Sequence, residues 1–118
     1  FLKEKNPNIR IVAIEPEGSP VLSKGISGSH GLQGLGAGFL PETLDTSIYD
    51  DVMTVTEQDA FDTCRLIAKQ EGILVGISSG ACVFAALKLA KQKEFYKKRI
   101  VALCPDSGER YLSTGIFG

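Results

Sequence analysis

The stretch richest in chemical possibility is Gly76-Ile77-Ser78-Ser79-Gly80. It follows a short apolar run, Ile73-Leu74-Val75, and precedes a long helical pattern, so it reads as a tight strand-to-helix turn. A serine between glycines at such a turn has three possible uses. It can cap the helix, because its hydroxyl accepts from an unpaired backbone N–H. It can help to hold an anion or a polar ligand at the helix N-terminus. It can also be a nucleophile on a strained elbow of the form G-x-S-x-G, but that arrangement places its histidine after the serine. The sole histidine, His30, precedes Ser78.

A second glycine cluster, Gly34-Leu35-Gly36-Ala37-Gly38, is spaced G-x-G-x-G rather than G-x-G-x-x-G, and Pro41 follows closely. No long helix opens there, which argues against a dinucleotide fingerprint. Glycines in such a loop either leave it flexible or let the backbone approach a flat ligand closely. His30 lies in the same loop, between Ser29 and Gly31, where a solvated or structural role competes with a catalytic one. Asp106-Ser107-Gly108-Glu109-Arg110 reads as a helix cap with a charged first turn. Cys64, Cys82 and Cys104 fall at apolar positions and read as core residues.

The elements that position these groups alternate. Arg10–Glu15, Asp51–Val55 and Arg99–Cys104 are short apolar runs that predict buried strands. Residues 16–47 hold so many glycines and prolines that they predict a loop with at most a short helix. The apolar tail of that loop predicts an ordered segment packed on a site rather than a linker. Thr56-Glu57-Gln58-Asp59 predicts a capped helix start, with Gly72 as the stop. A second helix is predicted from Ala81 to Lys93 and a short last one from Tyr111 to Phe117. Continuous apolar strands alternating with helices imply an α/β fold built on a parallel sheet covered on both faces. Ligands of such sheets sit beyond the C-terminal strand ends. The loops 16–47, 76–80 and 105–110 leave those ends and carry most of the unusual polar residues.

Composition narrows the function classes. The 118 residues are 43% hydrophobic and 23% charged, with a net charge of −1. That balance describes an ordinary globular domain and offers no basic surface for nucleic acid. No apolar stretch approaches the ~20 residues needed to span a bilayer, and no signal-like segment opens the chain. Three widely spaced cysteines, none in a C-x-x-C pair, argue against a disulfide framework or a metal site and suit a cytoplasmic location. Phe1-Leu2-Lys3-Glu4-Lys5 reads as the last turn of an interrupted helix, so residues 1–118 are expected to be one portion of a larger domain.

Four segments in order, VAIEPEGSPVLS, GSHGLQGLGAGFLP, EGILVGISSGA and PDSGERYLST, resemble the C-terminal part of the cysteine synthase (O-acetylserine sulfhydrylase) family. The likeness runs from Ile9 to Phe117, and the broader family includes cystathionine β-synthase. It implies the larger parallel-sheet, three-layer domain of fold-type II pyridoxal-phosphate enzymes. It further implies that Ser78 hydrogen-bonds the pyridine nitrogen of pyridoxal 5'-phosphate. Gly34 and Ala37 would border the substrate. Gly31 departs from the family pattern, which has lysine after the histidine.

The resemblance also places the Schiff-base lysine, the phosphate loop and the carboxylate-gripping loop upstream of this chain. No catalytic residue is therefore expected among the 118, and the chain alone is expected to be inactive. The implied reaction makes L-cysteine from O-acetyl-L-serine and sulfide by β-elimination and β-replacement. A homodimer is implied, with serine acetyltransferase as a possible partner through its C-terminal tail. The competing readings are a non-catalytic binding or assembly module and a serine hydrolase.

Overall fold

In the computed structural model, which describes residues 1–118, two short strands lie side by side. They are β1 (Val12–Pro16) and β2 (Asp51–Val55), paired in parallel with Val12 opposite Asp51 and Pro16 opposite Val55. Both are rich in β-branched or apolar residues, and both become more buried toward their C-terminal ends. Parallel strands need a long crossover, usually a helix. Here the crossover is the glycine-rich segment predicted as a loop. Its only regular element is the one-turn helix α2 (Val21–Lys24), following α1 (Leu2–Lys5) at the N-terminus.

Two longer helices follow. α3 (Glu57–Glu71) is capped as the sequence predicts: Thr56 Oγ1 accepts from the Asp59 N–H at 3.1 Å and donates to Asp59 Oδ2 at 2.7 Å. Gly72, in the left-handed region at φ 69°, ends it. α4 spans Ile77–Ala90, with Gly76 at its N-cap. It begins four residues before the predicted start, so the expected 76–80 turn is instead the helix's first turn. Serines are tolerated in a first turn, and Gly80 serves packing rather than a bend. A Cβ there would overlap the Ala60 carbonyl and the Cys64 sulfur of α3.

α3 and α4 pack through small residues. Ala60, Cys64, Ala81 and Ala85 join Leu32, Val55, Val75, Ile77, Tyr111 and Ile116 in the core. Val55 brings the end of β2 into this cluster, and Leu32 anchors the long loop to it.

The third predicted strand does not form. Residues 99–104 have no strand partner, and Val101 and Leu103 are 85% and 75% exposed. A strand exists only as a pair, and this run pairs with neither β1 nor β2. The 73–75 run makes only one antiparallel bridge, Val75 to Ser107, supported by Gly108 N–H donating to the Leu74 carbonyl at 2.9 Å. The last predicted helix is a 3₁₀ segment, Gly108–Thr114, starting three residues early.

Candidate functional site

The first turn of α4, the 30–38 loop and the 105–108 turn meet. Ser78 is 2% exposed and Ser79 fully buried. The helix has no side-chain cap, so Ser78 does not perform the capping role. Ser79 Oγ donates to the Asp106 carbonyl at 3.4 Å. Gly34 faces Ser78 across the gap: a Cβ on Gly34 would lie 3.3 Å from Ser78 Oγ.

The G-x-G-x-G spacing has a backbone cause. Gly34, Gly36 and Gly38 have φ values of 90°, 62° and 84°, so every second residue is left-handed. That conformation costs an ordinary L-residue roughly 1–2 kcal/mol. Gly36 is further constrained because a Cβ would crowd Pro16 and His30 Nε2. Ala37 is exposed on the same ribbon. The ribbon also lines a cavity of about 490 Å³, shared with Ile14, Glu15, Ser19 and Phe39. Gly34 thus borders both this cavity and Ser78.

His30 is committed to the loop's own backbone. Its Nδ1 accepts from the Leu32 N–H at 3.2 Å, and its Nε2 lies 2.9 Å from the Gly36 carbonyl, which it can reach only as a donor. Both ring nitrogens are used, and neither serves Ser78, so the structure assembles no nucleophile–base pair. His30 is the clasp of the 30–36 loop. Gly31, its neighbour, donates its N–H to the Glu57 carboxylate, which occupies the space a side chain would need.

Residues that sequence reasoning passed over also shape the site. Glu15 is 3% exposed at the end of β1. Its carboxylate accepts from the Leu22 N–H at 2.7 Å, the Ser23 N–H at 3.1 Å and the Ser23 hydroxyl. These donors satisfy a charge that burial would otherwise penalise heavily. The signal was present in the sequence, as an acidic residue closing an apolar strand. Asp106, expected to be a plain cap, instead accepts the Gly76 N–H on its carbonyl at 3.0 Å and the Tyr111 hydroxyl on Oδ2 at 2.7 Å. Its Oδ1 is buried without a partner. The hydrogen bond to Asp106, together with burial, raises the Tyr111 phenol above its ordinary pKa.

The three cysteines are free thiols. Burial pushes Cys64 and Cys82 up, while Cys104 is exposed. No cluster of three or more potential metal ligands is present, and no helix is long and apolar enough to cross a membrane.

A family model described as pyridoxal-phosphate dependent enzyme matches residues 1–106. The chain belongs to that family. A cysteine synthase of Staphylococcus aureus is 56% identical over 117 residues, covering 98% of this chain and 37% of that protein. The crystal structure of cysteine synthase from Entamoeba histolytica matches with a TM-score of 0.95 at 45% identity, over 98% of this chain and 34% of that one. An O-acetylserine dependent cystathionine β-synthase from Helicobacter pylori matches with a TM-score of 0.84 at 41% identity, over 100% of this chain and 38% of its own. The chain therefore spans about a third of the length of the pyridoxal-phosphate enzymes it matches.

Proposed function

We propose that these residues form one wall of the cofactor site of a cysteine synthase that makes L-cysteine from O-acetyl-L-serine and sulfide. The observation that carries this reading is Ser78. Its side chain is buried, does not cap its helix, and lies against a glycine, where any side chain would crowd the hydroxyl. A neutral hydroxyl is a suitable partner for a ring nitrogen because it can donate as well as accept. The residues present thus fit the ring end of pyridoxal phosphate, with Ser78 holding it and Gly34 and Ala37 bordering the substrate side. Pyridoxal phosphate, when bound, supplies the electron sink for removing the substrate's α-proton and expelling its β-substituent. Ser78 carries no negative charge and so does not hold a proton on the ring nitrogen as an aspartate would.

In this reading residues 1–118 are the C-terminal portion of the cofactor-binding α/β domain, and the lysine that holds the cofactor covalently lies outside them. Eight of the nine lysines support this by being exposed, and the ninth, Lys3, is half-buried in a pair with Asp50. The intact protein is a cytoplasmic homodimer and offers serine acetyltransferase a docking mouth at the 34–38 ribbon.

The test is the intact protein carrying Ser78→Asp. Ser78 is buried, so a carboxylate there should also lower the thermal midpoint, which is read separately. As a ring-nitrogen partner it holds a proton there, so the absorbance of the bound cofactor and the rate of β-elimination should both change. An unchanged spectrum and rate would reject the assignment of Ser78.

A further inference from the structure

Asp106 holds the first turn of α4 from one side, while Cys64 Sγ donates to the Gly76 carbonyl at 3.3 Å from α3. Asp106 accepts the Gly76 N–H on its carbonyl at 3.0 Å and the Ser79 hydroxyl on the same oxygen at 3.4 Å. Its carboxylate lies flat on Gly76, where any Cβ would overlap it. Gly76 and Ser79 flank Ser78, so Asp106 holds a backbone N–H on one side of that serine and a side-chain hydroxyl on the other. The carboxylate has a single tether of its own, the Tyr111 hydroxyl at 2.7 Å on Oδ2, while Oδ1 is buried without a partner. Tyr111 is 6% exposed and belongs to the core, so the tether is anchored in rigid packing. The single bridge between Val75 and Ser107 adds little backbone pairing to the same junction.

We propose that Tyr111 and Asp106 are a positioning pair: the phenol fixes the Asp106 carboxylate against Gly76, and Asp106 in turn fixes the orientation of Ser78 toward the ring end of the cofactor. The proposal rests on the reading of Ser78 given above. Neither residue touches the cofactor; each acts through the backbone of α4. Gly76 is glycine because the carboxylate occupies its side-chain space. Hydroxyl-bearing Tyr111, rather than phenylalanine, is required because a half-buried carboxylate with one tether loses its position when that tether goes.

The experiment uses the intact protein and four variants, Tyr111→Phe, Asp106→Asn, Ser78→Ala and the double Tyr111→Phe/Ser78→Ala. For each, the dissociation constant of pyridoxal phosphate, the absorbance band of the bound cofactor and the thermal midpoint are measured. Tyr111→Phe is expected to weaken cofactor binding about 3- to 10-fold, the effect of losing one hydrogen bond. It should shift the band in the same direction as Ser78→Ala. In the double variant the tyrosine change should add nothing, because its effect runs through the serine. Asp106→Asn keeps an oxygen acceptor for Tyr111 and should stay near the wild-type band. Tyr111→Phe lowering only the thermal midpoint, with band and affinity unchanged while Ser78→Ala alters both, overturns the positioning pair alone. Ser78→Ala leaving band and affinity unchanged overturns the assignment of Ser78 and the pair with it. Should Tyr111→Phe not fold, Asp106→Ala against Asp106→Asn makes the same contrast: the first is expected to shift the band and the second not, and equal bands overturn the pair.

Discussion

Gly34 and Ser78 face each other so closely that a methyl group on the glycine would sit 3.3 Å from the serine hydroxyl. The loop residue, not the helix, therefore sets the free space over the hydroxyl. Gly34→Ala meets two obstacles, since φ at this position is 90°. Strain in the left-handed region should cost roughly 1–2 kcal/mol of stability. The added methyl should also crowd the Ser78 hydroxyl and weaken pyridoxal phosphate binding on the order of tenfold in the intact protein. Urea unfolding and a cofactor titration read the two effects separately. A stability loss with unchanged cofactor affinity would mean that the ring does not approach the Ser78 hydroxyl beside Gly34.

The sequence made some of this arrangement legible and hid the rest for physical reasons. The capped start of α3 and its glycine stop were readable because caps are local chemistry, written within four residues. β1 and β2 were readable as apolar runs. The Arg99–Cys104 run carries the same signal yet forms no strand, because pairing depends on a neighbour that composition does not encode. α4 began early because Gly80, read as a turn residue, is a contact residue against α3. The serine and glycine motifs around Ser78 and Gly34 were readable from spacing alone, but the cofactor and substrate roles of Ser78, Gly34 and Ala37 came from a family resemblance. The role of Asp106 was not readable, since its work is done through a carbonyl and a distant phenol, and no short motif reports that.

The Gly80 contact gives its own prediction. A Cβ there overlaps backbone and sulfur rather than a movable side-chain end. Gly80→Ala should therefore push α3 and α4 apart and destabilise the protein by about 1–3 kcal/mol, although alanine is the better helix former. The urea midpoint measures it. A neutral or stabilising result would show that the helices tolerate a wider spacing.

Thiol chemistry offers a third check. The thiolate is the reactive form, and burial raises the pKa of Cys64 and Cys82, so at neutral pH both hold less thiolate than an unperturbed cysteine. Cys64 is in addition closed off from solvent and donates to the Gly76 carbonyl at 3.3 Å. Alkylation followed by peptide mass spectrometry should label exposed Cys104 first, Cys82 more slowly and Cys64 last. Raising the pH should speed labelling, and Cys64 and Cys82 should reach their full rates at a higher pH than an unperturbed thiol. Early labelling of Cys64 at neutral pH would mean that α3 and α4 open readily.

The last prediction concerns these 118 residues prepared by themselves. Val101 and Leu103 are 85% and 75% exposed, and Ile73 and Leu74 add further apolar surface nearby in sequence to the Val75–Ser107 bridge. Unpaired backbone beside exposed apolar side chains is a template for association. The isolated polypeptide is expected to sediment as dimers or larger species, and Val101→Lys with Leu103→Lys should move it toward monomer. On the proposed division of the site it should also fail to retain pyridoxal phosphate, since this portion would offer one serine hydroxyl and no covalent anchor. One neutral hydrogen bond contributes only about 0.5–1.5 kcal/mol, far below what micromolar binding requires. After incubation with the cofactor and dialysis, the expected outcome is no visible absorbance from bound cofactor. A yellow protein holding stoichiometric cofactor would show that a lysine within residues 1–118 is the anchor, and the proposed division of the site would fall.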